Sequence, residues 1–580
     1  MNIPRSVCLE ETFFLLLDVL KTNVLTRATP FSHQSADSFR QVLERAFDFA
    51  DLDLKSANRM GDLEGVKTRG GKTETSAEYR RIWKRLIDQN WLKICAPLES
   101  EGLGFPGTIG SAVAEFFLMC NPAIALYYIL SKESADIVEH YGSPEIREQF
   151  GKRLTSGQWS GTCCCVGEVQ LLATPRKSHY TVRGTASGVI GGVHDLADAS
   201  VQILPGAIRR GNKREHALFM IPSVLESKGK RMDNSVRSIK KHHTLGIKGI
   251  SIDDFEYGAE GACRAYRIQY DELPEAIIPE HSLRLLHSAA LLGSAKLANI
   301  FALFHSKSFA NSSGAKSGRR SRSWDASNFD TSLKALLSGI RGALYAASFY
   351  QDCGRHGGES QKKRFMELYR LYVPILKVYA QKRAVQYYQS GLDLIGMQGY
   401  VNEHAFEQNL RDLMAGSFIG GGNAELTQRF MVVFRNKRSP LVRSLIDEFR
   451  EIDPQAARCE AMRMAIRTWH DYMGGLILLH DDCASDTEEN VWLVHSERIL
   501  MLLGDLIVCY HLIRQGLEAE SKMKTMGVDF FNLASEIGKH PDVKALYDKI
   551  LLAFHFARSQ LSLQESHIRI MQEKTAITVE

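Results

Sequence analysis

The chain carries 11 cysteines but no two Cys-x-x-Cys motifs at zinc-binding spacing. Three of them stand in one run, Cys163, Cys164 and Cys165, where adjacent side chains cannot all reach partners. A zinc module and a disulfide framework are therefore set aside. Reduced, mostly buried thiols are expected, and with them a cytoplasmic location. Strong charge of one sign is also missing. Lys and Arg number 72 against 67 Asp and Glu, a net charge of +5, which permits an anionic ligand without requiring one. The N-terminal segment MNIPRSVCLEETFFLLLDVLKTN has no basic leader and no small-residue cleavage site, and it includes Glu10, Glu11 and Asp18. An amphipathic first helix is expected there, not a secretory signal or a membrane span. No internal repeat is evident.

What is present divides by periodicity. A chain of 580 residues exceeds one ordinary domain, and its 44% hydrophobic and 24% charged content is that of a globular protein. Residues 1–155 carry apolar positions at helical spacing, as in SFRQVLERAFDFADL, interrupted by a Gly- and charge-rich loop, GDLEGVKTRGGKT. From 156 to 275 the helical period gives way to short β-prone runs such as HYTVRG, HALFMIPSV and ISIDDFEYG, which predict a compact β-domain. The helical period returns over 276–438, and 439–580 adds further helices. One polar, basic stretch, Ser312 to Ser323, reads as a loop.

Several local motifs fall in one order with nearly gapless spacing. Gly61, Asp62, Glu64 and Gly65 form G-D-x-E-G. Trp91, Pro97, Gly102, Gly104 and Pro106 follow, then Gly157, Trp159, Gly161 and Thr162. Next come Tyr180, Gly184, Thr185, Gly191, Gly192, His194 and Asp195, and then Gly246 and Ile247. Later, Gly396, Gly399 and Tyr400 form a Gly-rich turn, and Glu407, Gln408, Arg411 and Asp412 lie on a helix. In this order the chain resembles the acyl-CoA dehydrogenase family. The closer likeness is to the larger type with an additional C-terminal helical domain, similar to enzymes acting on 3-methylthiopropionyl-CoA. The motifs cover roughly residues 45 to 435. The resemblance implies a mainly α fold with an inserted β-domain: an N-terminal helical domain, a middle β-barrel or sandwich, a four-helix bundle and extra C-terminal helices.

The resemblance also implies a reaction in fatty acid metabolism, the FAD-dependent α,β-dehydrogenation of acyl-CoA thioesters. That reaction needs a carboxylate base, hydrogen bonds to the thioester oxygen and a stacked flavin. Counted from Arg411, the family's catalytic glutamate falls at Gly420, and the alternative site on the first helix after the β-domain falls at Leu283. Neither side chain can accept a proton. Glu425 and Glu168 are the candidates for a relocated base. The positions implied for the cofactor are Cys165, Val166, Ile190, Gly396, Gly399, Gly422 and Asn423. Gly188 and Ile190 stand where the family brings an aromatic and a hydroxyl to the flavin, Asp393 replaces a glutamine, and Met397 replaces a glycine. The family's pyrophosphate arginine falls near Ser313. Arg411 and Asp412 read as structural bridges, and His194-Asp195 as structural too.

Three functions remain open. The first is a catalytically silent or altered family member, either a homo-oligomer or the partner of an active homologous subunit. The second is an active flavoprotein with a displaced base. The third is nucleic-acid binding through SKGKRMDNSVRSIKKHH and SGRRSRS, the least favoured, because aromatics are not interleaved with those charges.

Overall fold

The computed structural model describes residues 5–210, 213–227, 230–269, 280–305, 324–403, 405–453, 455–485 and 492–572. Contacts divide the chain into two compact units: residues 1–27, 293–401 and 422–580 in one, 28–292 and 402–421 in the other.

The second unit holds the N-terminal helices and the β-domain. Its helices are α2 (Ala36–Phe49), α3 (Lys55–Glu64), α4 (Ala77–Asp88), α5 (Gly107–Cys120) and α6 (Pro122–Tyr141), following α1 (Arg5–Phe13) of the other unit. Ser35 starts α2 through a reciprocal capping box with Ser38. Asn121 caps α6 ahead of Pro122, whose fixed φ suits the first turn. The α5 and α6 sequences are apolar on nearly every side because the unit buries them on nearly every side. The segment expected as a loop after Gly61 contains a short hairpin, β1 (Lys67–Arg69) and β2 (Lys72–Glu74). Gly70 and Gly71 turn it with φ of 56° and 74°, backbone that only glycine adopts without strain.

Ten more strands follow: β3 (Trp159–Thr162), β4 (Val169–Pro175), β5 (Tyr180–Ile190), β6 (Ala199–Arg210), β7 (Lys213–Pro222), β8 (Val224–Ser227), β9 (Lys230–Asp233), β10 (Val236–Lys241), β11 (Ile252–Tyr257) and β12 (Cys263–Ile268). β4 pairs with both β5 and β6, β5 with β12, β12 with β7, and β7 with β6, so these five close a ring. The interior is filled by alternate strand residues such as Val182, Ala186, Leu204, Phe219 and Phe255. β11 and β10 extend the sheet beyond β5.

The other unit is helical. It contains the C-terminal part of α7 (Glu280–Phe304), then α8 (Trp324–His356) and α9 (Glu359–Ile395). α10 (Phe406–Met414) belongs to the β-containing unit. The helical unit resumes with α11 (Asn423–Phe434), α12 (Pro440–Phe449), α13 (Glu460–Ser485), α14 (Ser496–Thr525) and α15 (Pro541–Ser559). Two helical stretches, Ser282–Phe304 and Ser496–Thr525, have the length and hydropathy of a membrane span, yet both are buried inside the protein as core helices. The helical, β, helical order of the expected blocks is therefore present. Ser312 to Ser323 lies outside the described residues.

Candidate functional site

The strongest constraint on the site is Gly420. Its φ is 76°, and a Cβ built there would lie 3.0 Å from Leu286 Cδ2 and 3.1 Å from the Leu286 nitrogen. Any side chain at 420 is strained by its backbone and blocked by the second turn of α7. The place where the resemblance puts a glutamate is thus filled by leucine. Leu283, one turn earlier, is buried and apolar. Packing against Leu286 leaves no room at Gly420, and only the spatial neighbour carries that information.

Arg411 and Asp412 hold the same segment in place. Arg411 grips Asp62 with two guanidinium bonds of 2.7 Å, binds Glu407 through Nε at 2.7 Å, and donates to the Leu245 carbonyl at 3.0 Å. Burial would raise the Asp62 carboxyl, but these bonds, with Lys248 and Arg59 nearby, bring it below the ordinary range. Asp412 Oδ1 accepts the Ile247 N–H at 2.6 Å, and Ile247 is held at a φ of 50°. A Cβ on Gly246 would lie 2.3 Å from the Arg411 carbonyl carbon, so the 244–250 loop can approach α10 only with glycine there.

Between that loop and α10 lies a small apolar pocket of about 100 Å³. Its wall includes Ile190, Ile247, Ile250, Met414, Phe418 and Ile419. Ile190 therefore sits at a candidate site, though as an apolar wall.

Cys165 and Val166 lie on a segment that closes on β5. Val166 N–H donates to the Gly188 carbonyl and Gly167 N–H to that of Ser187, each at 3.0 Å; Ile190 N–H donates to the Cys164 carbonyl at 3.0 Å. The Cys165 thiol reaches the Ser187 carbonyl at 3.0 Å, and burial pushes its pKa up. Gly188, with a φ of 71°, lies against Val166, whose Cγ2 would be 2.9 Å from an added Cβ. Asp254 locks this corner from β11. It accepts from Ser187 Oγ at 2.6 Å and from Gly188 N–H at 2.9 Å, and contacts His242 Nε2 at 2.9 Å. Burial works against its ionisation, but these partners draw its pKa down to about 2. Sequence reasoning missed Asp254. The adjacent acids in SIDDFEYG were a signal, since one of two neighbouring strand residues must face a different environment from the other.

The remaining candidates lie in the helical unit. Glu425 is in the first turn of α11, 56% exposed, and paired with Arg429 at 2.6 Å. Asn423 accepts from the buried Lys377 ammonium at 2.7 Å and donates to Gln381 Oε1 at 3.0 Å. Gly396 ends α9 with a φ of 67° and, like Gly422, has open space where a Cβ would stand. Gly399 is buried on the turn after it, and Asp393 is exposed. Glu168, in the β-containing unit, is exposed and accepts from Gln170 at 2.8 Å. His194 is buried, its Nδ1 accepting the Leu196 N–H at 3.2 Å, and burial lowers its pKa to about 4. Asp195 instead binds Thr75 and Arg80, so the pair forms no dyad.

Residues 342–432 match the family described as acyl-CoA dehydrogenase, C-terminal domain. The 3-methylmercaptopropionyl-CoA dehydrogenase of Ruegeria pomeroyi is 22% identical over 66% of this chain and 68% of its own. The chain carries the C-terminal domain of the acyl-CoA dehydrogenase family. Solved structures agree on the fold. Caenorhabditis elegans ACDH-11, in complex with C11-CoA, superposes with a TM-score of 0.71 at 14% identity, over 92% of this chain and 89% of that one. A Bacillus anthracis acyl-CoA dehydrogenase complexed with FAD gives 0.69 at 13% identity, over 95% and 90%.

That neighbour holds FAD, and the positions the resemblance implies for this cofactor lie in both units. In the β-containing unit, the amides of Val166 and Gly167 are spent on β5, and Ile190 is an apolar wall where the resemblance implies a hydroxyl. The adjoining pocket of about 100 Å³ is well below the roughly 300 Å³ at which small-molecule sites begin. In the helical unit, the Asn423 amide is committed to Lys377 and Gln381. The Cys165–Gly167 corner, Ile190 and Asn423 do not fit a flavin held in the family's manner, while Gly396 and Gly422 stay open. The pyrophosphate position near Ser313 lies outside the described residues.

Proposed function

We propose that this chain is a family member that has given up α,β-dehydrogenation and serves as a scaffold or as the non-catalytic partner of an active homologous subunit. The observation that carries the reading is Gly420: a left-handed glycine packed on Leu286 where the reaction needs a carboxylate. The closed Cys165–Gly167 corner supports it independently, because it leaves the cofactor edge without its donors. Glu425 does not substitute, since its carboxylate is exposed and engaged by Arg429. The relatives' names make an acyl-CoA thioester the ligand class to test, and a homologous dehydrogenase subunit the partner class.

The test is a dye-coupled dehydrogenation assay on the purified chain, supplied with FAD and with butyryl-, 3-methylthiopropionyl- and longer acyl-CoA. No turnover above the no-enzyme rate is expected. Turnover that Glu425→Gln abolishes would establish the relocated-base reading instead.

A further inference from the structure

A cavity of about 430 Å³ opens in the helical unit, walled by α1, the end of α7, α8 and α15. Its volume lies in the usual range for small-molecule sites. The walls are largely apolar, with Phe14, Phe301, Leu337 and Leu552 among them.

The ions of its inner wall are already satisfied. Glu11 binds Lys549 and accepts from Ser338 Oγ at 2.5 Å. Arg341 donates to Thr12 Oγ1 at 2.7 Å and to the Tyr345 hydroxyl at 3.0 Å. Lys334 pairs with Asp330 at 3.0 Å while lying over the Phe301 ring. An anion entering the cavity would meet only cations already engaged: Lys549 with Glu11, Lys334 with Asp330, and Arg341 with Thr12 and Tyr345. At the edge the balance is opposite. Glu10 and Asp548 line the cavity, both exposed, and neither forms an ion pair among the described residues.

We propose that this cavity is a binding site for a hydrophobic amine, its apolar body against the Phe14, Phe301 and Leu337 walls and its ammonium at the Glu10 and Asp548 carboxylates. That orientation buries the apolar part and leaves the charge near water, the arrangement that costs least desolvation. The site is formed within the helical unit and does not depend on the fate of the Gly420 region.

The test is isothermal titration of the full chain with 4-phenylbutylamine and, separately, with 4-phenylbutyrate. Two variants accompany it: Glu10→Gln with Asp548→Asn, which removes both rim charges, and Ala545→Trp, which fills the cavity from an exposed wall position. Circular dichroism and the melting temperature confirm that each variant is folded. Saturable binding of the amine at one site is expected, weakened about 5-fold when both rim charges are removed and lost in Ala545→Trp, with the carboxylate binding more weakly. Absence of saturable amine binding, tighter binding of the carboxylate, or amine binding that survives Ala545→Trp would each overturn the proposal.

Discussion

At the scale of single residues, the proposed loss of activity turns on positions where a side chain is missing. Gly420 is confined by its φ of 76° and by Leu286. Gly420→Ala is expected to lower stability by about 1–3 kcal/mol, measured by urea unfolding. Gly420→Glu is expected to create no dehydrogenase activity, because Leu286 occupies the space the carboxylate would need. Arg411 gives the opposite case, a side chain whose family position survives for structural reasons. Arg411→Ala would strand the nearly buried Asp62 carboxylate without its bidentate partner. With Arg59 still bound to Asp62 at 3.2 Å, a loss of about 1–3 kcal/mol is expected, and Arg411→Lys should recover only part of it, since an ammonium cannot match the fork. The glycine and the Arg-Asp pair were legible in the sequence because they keep fixed spacing from each other. Leu286 and Asp254 were not. They act through neighbours remote in sequence, and a single chain does not reveal which leucine or aspartate faces the gap.

At the scale of elements, α12 is tied to α8 and α9 by a buried carboxyl. Glu448 accepts hydrogen bonds from the Tyr350 and Tyr372 hydroxyls. Burial pushes its pKa up to about 7, while those hydroxyls and Arg514 pull it down and Glu451 pushes it further up; Tyr510 faces it from α14. The folded-state value exceeds the ordinary 4.5, so the folded protein holds this proton more tightly than the unfolded chain does. Its contribution to stability is complete below about pH 4.5 and is lost as pH rises through about 7. His194 and His287 act in the other direction. Burial lowers both to about 4, so their contribution is present above about pH 6.5 and lost as pH falls toward 4. Melting temperatures of wild type and Glu448→Gln across pH 4–8 separate the two effects. The variant should gain on the wild type as pH rises from 4.5 to 7, by an amount on the order of 3 kcal/mol. A difference that does not vary with pH would contradict the assignment. The helical, β, helical succession was readable because the apolar period changes from about 3.6 to 2 at the borders. The β1–β2 hairpin was not read, although its Gly70-Gly71 pair is a hairpin signal. Each strand is only three residues long, too short to show alternation.

At the scale of the molecule, fold and chemistry come apart. The scaffold glycines, the closed five-strand ring and the buried long helices keep the family's architecture, while Gly420 and the Cys165–Gly167 corner are closed and the Asn423 amide is already bonded. On the proposed reading, such a chain pairs with a homologous active subunit. Size-exclusion chromatography of the chain mixed with such a subunit should give a mixed oligomer whose activity scales with the active subunit alone. Activity that rises with this chain's own concentration would show a catalytic contribution.

The most direct test of the central claim is the visible absorbance spectrum of the purified protein, before and after incubation with excess FAD and gel filtration. A protein without a flavin band is expected in both cases. A stoichiometric flavin band retained through gel filtration would contradict it, because the Cys165–Gly167 corner and the Asn423 amide would then have to open to hold the cofactor.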